Sequence, residues 1–354
     1  LNQLYSTASY QNQDLSGVEF SEMDLSGANF SGQNLQGAAF YFTDLLGANF
    51  SGAHIQSAAF QTEQFTREHL YSTASYINRQ LTGISFSNLD LSGANLSNQN
   101  LSATTFDDTY LIDADFSGAI ITNASFINTG ITREQLYSTA SYQNANLAGI
   151  TFQSENLSGI DFSNQNLEGA TFARSVLFDA NFTGAVIKGV SFEWADGFTR
   201  DQLYSTASYA AKELNGLRFR GLDLSGVNFS EQNLDGTEFS NTDLSDANFN
   251  NAIITNVVFY NTGITREQLY STASYQNRQL TGLMLSESLS DVSFNSQDLR
   301  DAVFFVSTLT NIQFLGANLQ RSVFFDVYLK GAEFDMADLR NATFQNVSLM
   351  GGNL

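Results

Sequence analysis

The sequence predicts an all-β solenoid: a coil that turns a corner at every fifth position, broken by short helices at a regular, much longer interval. Three observations predict it. Leu or Phe recurs at every fifth position, as in Leu15, Phe20, Leu25, Phe30, Leu35, Phe40, Leu45 and Phe50. Neither a helix nor an ordinary strand has that period. The stretch Leu-Tyr-Ser-Thr-Ala-Ser-Tyr occurs five times, at 4–10, 70–76, 136–142, 203–209 and 269–275, and takes ten of the 14 tyrosines. Proline is absent from all 354 residues, as suits a stack whose backbone N–H groups nearly all pair with a neighbouring strand.

The five-residue side comes first. Two residues before each Phe stands a small or aliphatic residue (Val18, Ala28, Ala38, Ala48, Ala58), with a polar residue between, as in Ala28-Asn29-Phe30. In extended chain the centre and the residue two before it point the same way, here inward. The remaining positions are Ser, Asn, Gln, Gly, Thr and Asp and face water. Before leucine the inner position holds Gln33, Thr43 or Met23, which balances volume against the Phe–Ala sides. Leu25, Phe30, Phe50, Phe162, Phe229 and Phe334 are expected in the core, each contributing roughly 1.5–3 kcal/mol, most of it offset by chain entropy.

The insert comes next. In Ile131-Thr132-Arg133-Glu134-Gln135-Leu136-Tyr137, Thr132 and Gln135 form a capping box, and Ile131 and Leu136 a hydrophobic staple. Phe65/Leu70, Phe198/Leu203 and Ile264/Leu269 repeat the staple behind Thr66, Thr199 and Thr265. The expectation is one short helix of about two turns over 132–140 and its counterparts. Two turns are marginal alone, so each helix should dock its Leu, Ala and Tyr faces, with Tyr137 and Tyr142 as packing anchors. A tyrosine binding surface is the competing reading. Eleven centres counted from Tyr142 to Phe192, plus a helix standing in for one side, make three whole coils per unit, so the helices should stack on one face. The units run 1–65, 66–131, 132–198, 199–264 and 265–354, as one solenoid over 1–354. Gln33, Gln99, Gln165, Gln232 and Gln297 recur once per unit. They read as a corner or helix-docking contact, or else as a spaced ligand site.

Ala28-Asn29-Phe30-Ser31-Gly32, Ala48-Asn49-Phe50-Ser51-Gly52 and Ala94-Asn95-Leu96-Ser97-Asn98 match the pattern A(D/N)LXX. The chain resembles the pentapeptide-repeat family over essentially its whole length. The Leu-Tyr-Ser-Thr-Ala-Ser-Tyr insert departs from the bare pattern and looks like a feature of larger bacterial members. The resemblance implies a right-handed quadrilateral β-helix with four pentapeptides per coil. Alternation of Leu and Phe around four sides then gives Leu and Phe ladders along the axis, with coils about 4.8 Å apart.

After Tyr275 the pattern loses one residue near Ser286-Glu287-Ser288-Leu289, and the fives then run without an insert to Leu354, itself a centre. The first insert lacks its cap at Leu1, as in a fragment or processed product, and a solenoid ending on Leu354 is expected to continue or to pair end to end with a partner.

Few residues offer chemistry. His54 and His69 stand alone, at an outer position and in a capping box, and no third ligand supports zinc. Asp107-Asp108 and Asp113/Asp115 lie outward without the spacing of a calcium loop. Trp194 reads as packing in the loop before a helix. Cysteine is absent, which excludes disulfide and thiol chemistry, and no apolar run is long enough to span a membrane as a helix. The sequence names no compartment. Thirty-six acids against 15 bases give −21, with no Lys or Arg in residues 1–66, which argues against nucleic acid as partner. No catalytic residue, metal or cofactor is expected. The expected function is a non-enzymatic structural or protein–protein interaction scaffold with a protein partner. The alternatives are a DNA-mimicking inhibitor of a topoisomerase, as the resemblance suggests for an acidic member, and a weak ion- or glycan-binding surface protein. The charge density, less than half that of B-DNA at about one charge per 1.7 Å, weighs against mimicry.

Overall fold

The computed structural model describes residues 1–352, so Leu354 lies outside the described residues. The chain forms two compact units, Leu1–Ala180 and Asn181–Leu354. In unit 1 the elements are α1 (Asn2–Tyr5), α2 (Ala8–Gln11), β1 (Glu19–Ser21), β2 (Ala39–Tyr41), β3 (Ala59–Gln61), α3 (Arg67–Ser72), α4 (Ala74–Ile77), β4 (Ser85–Ser87), β5 (Thr105–Asp107), β6 (Ser125–Ile127), α5 (Arg133–Ser138), α6 (Ala140–Gln143) and β7 (Thr151–Gln153). The seven strands form one parallel sheet in chain order. Phe20 pairs with Phe40 and Phe40 with Phe60, so a plain coil is four five-residue sides. Ser125 pairs with Thr151, a longer step, because that coil also carries the insert. The all-β solenoid is thus the observed architecture.

The coil closes at every fifth position for a local reason. The Asn29 side-chain carbonyl accepts from the Ser31 N–H at 3.1 Å, an Asx turn. The following Gly32 sits at φ +65°, where glycine meets no Cβ penalty. Between coils the Asx side chains bond again: Asn49 donates to Asn29 and Asn34 to Asp14. Inside, Phe columns stack, with Phe40 and Phe60 5.2 Å apart and 3° from parallel. Phe30 meets Phe40 edge to face across the coil at 5.5 Å. Leu25, Phe30, Phe50 and Phe162 are buried, as are Phe229 and Phe334 in unit 2. Gln33 and Thr43 are buried at the inner offset, but Met23 is exposed.

Unit 2 contains α7 (Arg200–Ser205), α8 (Ala207–Ala210), β8 (Arg218–Arg220), β9 (Glu238–Ser240), β10 (Val258–Tyr260), α9 (Arg266–Ser271), α10 (Ala273–Gln276), β11 (Met284–Ser286), β12 (Ser288–Ser290), β13 (Val303–Thr310), β14 (Val323–Lys330) and β15 (Thr343–Gln345). Its sheet is also parallel, with β12 on the side of β13. The missing residue falls between β11 and β12. Met284 pairs with Val303 but Ser288 with Thr308, so the step to the next coil is one shorter before the gap than after it. The lost position is the left-handed corner residue, held elsewhere by Ser154 or Asp326.

Two details of the insert differ from expectation. Each insert is two helices rather than one. Thr139 separates α5 from α6 in extended conformation, φ −71° and ψ 147°. Its hydroxyl donates to the Leu136 carbonyl and accepts from the Tyr142 N–H, so it closes one helix and caps the next. Tyr142 is also not a coil centre. The staple residue Ile131 is buried in that role, and Leu136 takes the remaining side. Three coils per repeat remain, because one centre replaces the other.

Candidate interaction surface

The insert is fastened to coils on both sides. Below, Gln135 uses both ends of its amide. Its oxygen accepts from the Thr132 N–H at 2.9 Å, and its nitrogen donates to the carbonyls of Leu111 and Ala114 at 2.7 and 3.0 Å. Gln268 does the same with Thr265, Leu244 and Ala247. Above, the two tyrosines grip the backbone of one residue in the next coil. The Tyr137 hydroxyl accepts from the Asp161 N–H, and the Tyr142 hydroxyl donates to the Asp161 carbonyl, both at 2.7 Å. The same clamp holds Asn29, Asn95, Asn228 and Ser293 in the other four copies. Paired rings lie 4.5–4.8 Å apart. Burial, with Tyr137 alongside, pushes the Tyr142 hydroxyl up to about 12.

The same contacts align the inserts within each unit. In unit 1, Asn29 bridges Asn49, the Gly52 N–H reaches Ser72 of the second insert, and that insert clamps Asn95; Asn95 bridges Asp115, and the Gly118 N–H reaches Ser138 of the third. The three inserts of unit 1 therefore occupy one side. In unit 2, insert four clamps Asn228, which bridges Asn248, and the Asn251 N–H reaches Ser271 of insert five.

Gln33, Gln99, Gln165, Gln232 and Gln297 each donate to the carbonyl of the second insert tyrosine at 2.9–3.1 Å, a helix-docking contact. Their buried amide oxygens find no partner among the described residues. A further tie was invisible in the sequence. Glu155, 2% exposed, accepts from the Thr129 N–H at 2.6 Å, its hydroxyl at 2.8 Å and the Gly130 N–H at 3.0 Å, locking the approach to α5. Burial pushes its carboxyl up, against the pull of those donors. Glu287 holds Thr262 and Gly263 in the same way. The shared Asn-Thr-Gly-Ile-Thr at 128–132 and 261–265 was the available signal, but its partner lies a coil away.

Of the remaining candidates, His54 is exposed and bridges Asn34. His69 replaces the capping Gln, its Nδ1 accepting from the Thr66 N–H at 3.1 Å; burial lowers its pKa. Trp194 is 44% exposed and lies flat on Gly221, where a Cβ would fall 1.9 Å from the ring. Asp107 is shifted up by burial and by Asp108, while Ser117 lowers Asp115. No cluster of three His, Cys, Asp or Glu suited to a metal occurs among the described residues. No helix among them is long and apolar enough to cross a membrane. The outer surface is acidic and uneven: residues 1–180 carry 17 acids against four bases, a net of −13, and residues 181–354 carry 19 against 11, a net of −8.

No curated protein matches the chain. Among solved structures, a pentapeptide repeat protein involved in heterocyst differentiation regulation, HetL from the cyanobacterium Nostoc, is 14% identical with a TM-score of 0.14, covering 93% of this chain and 86% of its own. Full-length QnrB1, a plasmid-mediated fluoroquinolone resistance protein, is 16% identical with a TM-score of 0.14, covering 75% and 92%. The pentapeptide-repeat family model matches in eight copies, over 14–61, 80–128, 156–193, 214–260 and 307–354. Inserts two to five fall in the gaps between those spans. With well over half of its residues in these matches, the chain belongs to the pentapeptide-repeat family.

Proposed function

We propose that the protein is a non-enzymatic scaffold for protein–protein interaction. The observation that carries this reading is the use of the inserts' polar groups. Tyrosine hydroxyls, capping amides and the buried Glu155 are spent on stitching coil to coil. What remains outside is a repeating array of Asx, Ser and acidic side chains at fixed spacing. A rigid array of that kind serves recognition, because little ordering entropy is lost on binding. Affinity capture from the native source tests it, using the intact chain beside a set of outward charge reversals such as Asp44→Lys and Glu63→Lys. A partner lost with one local subset of reversals supports the scaffold; a partner indifferent to every outward change refutes it. DNA mimicry is the second reading, favoured by the acid excess of residues 1–180. Inhibition of a supercoiling topoisomerase at stoichiometric protein would favour it over the scaffold.

A further inference from the structure

Unit 1 carries a row of apolar side chains on its outer surface that its core does not use. Leu46, Ile112 and Phe178 are 71%, 65% and 51% exposed. They recur at the interval of the inserts, each directly after a buried leucine. Their register is the same: the carbonyls of Leu46, Ile112 and Phe178 accept from the N–H groups of Gly27, Gly93 and Gly159. One coil earlier the equivalent residues are Ser26, Ser92 and Ser158, so the fold itself is content with serine there. The corresponding residue before the last insert, in unit 2, is Ser245. The row thus belongs to unit 1.

Its setting is apolar anchors framed by carboxylates. Tyr110 and Phe42 are exposed beside it, 65% and 67%. Phe42 walls a cleft of about 540 Å³ together with Asp44, Glu63 and Gln64. Asp113 and Asp179 directly follow Ile112 and Phe178. Of the cations near the row, Arg67 donates to the Ser92 carbonyl at 2.7 Å and Arg133 pairs with Glu134 at 3.1 Å, while Arg174, four residues before Phe178, is exposed. Exposed apolar residues scattered singly are ordinary; what sets these apart is the regular interval at which they recur. The charge selects the occupant. A second copy would bring −13 against −13, and nucleic acid would be repelled too.

We infer that this row docks a basic polypeptide segment whose apolar side chains are spaced to match anchors about 14 Å apart, three coil spacings. The inference rests on the scaffold reading and names its partner class. Four extended residues span about 13–14 Å, so the probe is a lysine-rich peptide of five four-residue blocks with leucine at every fourth position. Binding to the intact protein is measured by calorimetry at low and at high NaCl, on either side of the ionic strength where surface charge is screened. The comparison is Leu46→Ser/Ile112→Ser/Phe178→Ser, whose melting curve checks the fold. The expected result is at least tenfold weaker binding by the triple variant, with wild-type binding still measurable at high salt. Equal binding by the two proteins, or complete loss at high salt, reduces the contact to charge and overturns the row while leaving the scaffold reading standing. No wild-type binding at low salt also overturns the row, and the capture experiment above then decides the scaffold reading separately. A concentration-dependent wild-type dimer that the triple variant abolishes assigns the row to a second copy and overturns the basic partner.

Discussion

The third insert in unit 1 and the uninterrupted run β13–β15 in unit 2 solve one problem differently. Both must hold successive coils in register. At the insert, side chains do it: Gln135 reaches down to Leu111 and Ala114, and Tyr137 and Tyr142 reach up to Asp161. In the run, backbone does it. β13 and β14 are long strands paired along their length, with the outward residues Phe305 and Thr308 in register with Phe325 and Tyr328. Tyr260 stacks on Phe305 at 5.8 Å. The outward residues there are aromatic and β-branched rather than Asn, Ser and Gly, which favours continuous strand. Register in this fold thus has two sources, and they differ in fragility. A side-chain stitch fails with one substitution, whereas a ladder spreads the load.

Four measurements test that difference in fragility. The largest expected effect is common to both regions and tests the shared core. Phe162→Asp and Phe324→Asp each bury an uncompensated charge and should cost at least about 4 kcal/mol, seen as loss of a cooperative melt. Asn164→Asp, on a left-handed corner of the surface, should leave the melt unchanged. Comparable losses from Phe162→Asp and Asn164→Asp would contradict the inward and outward assignment.

Next comes the stitch itself. Tyr137→Phe and Tyr142→Phe each remove a hydroxyl that bonds the Asp161 backbone, at about 1–3 kcal/mol each. Amide exchange at Asp161 should rise while β14 amides stay protected. A Phe305→Ala change in the run should cost less than either and raise no single amide. If it proves the more costly, the ladder is the fragile device.

Third is the one insert whose cap titrates. In α3 the neutral His69 must accept the Thr66 N–H, and burial, the main cause, lowers its pKa. Its folded pKa lies below the unfolded value, so its contribution is present at neutral pH and is lost as pH falls below about 6.5 towards the folded value. Limited proteolysis near residues 62–77 should therefore quicken in mild acid, and His69→Gln should remove that response, leaving the Gln-capped inserts as internal controls. Equal acid sensitivity in the variant would dispose of the cap as its source.

The smallest effect belongs to the run. Val306 is a β-branched residue at φ +44° on a corner that Asn or Asp usually holds. Val306→Asn should stabilise by about 1 kcal/mol, the low end of the cost of such strain, measured as a raised melting temperature. A lowered one would show that Val306 contributes packing that outweighs its strain.

Much of this architecture was written along the chain. The five-residue period, the Asx and glycine corners and the Thr132–Gln135 box are local patterns, so residues close in sequence were enough to read Leu25, Phe30 or Phe162 as core. The split of each insert at Thr139 was legible in principle, since a Thr before Ala-Ser-Tyr can cap a new turn, but the two-turn pattern masked it.

Everything with the range of a single side is therefore encoded locally: side length, inward and outward faces, caps and the count of coils. Tertiary structure alone decided what those side chains touch. The tyrosine clamp on Asp161, the second use of Gln135 and the lock of Glu155 on Thr129 each join residues a full coil or so apart along the chain. Those partners come within hydrogen-bonding distance only when one coil is laid on the next. The physical reason is that a hydrogen bond needs a position good to tenths of an ångström, and only the closed stack supplies it.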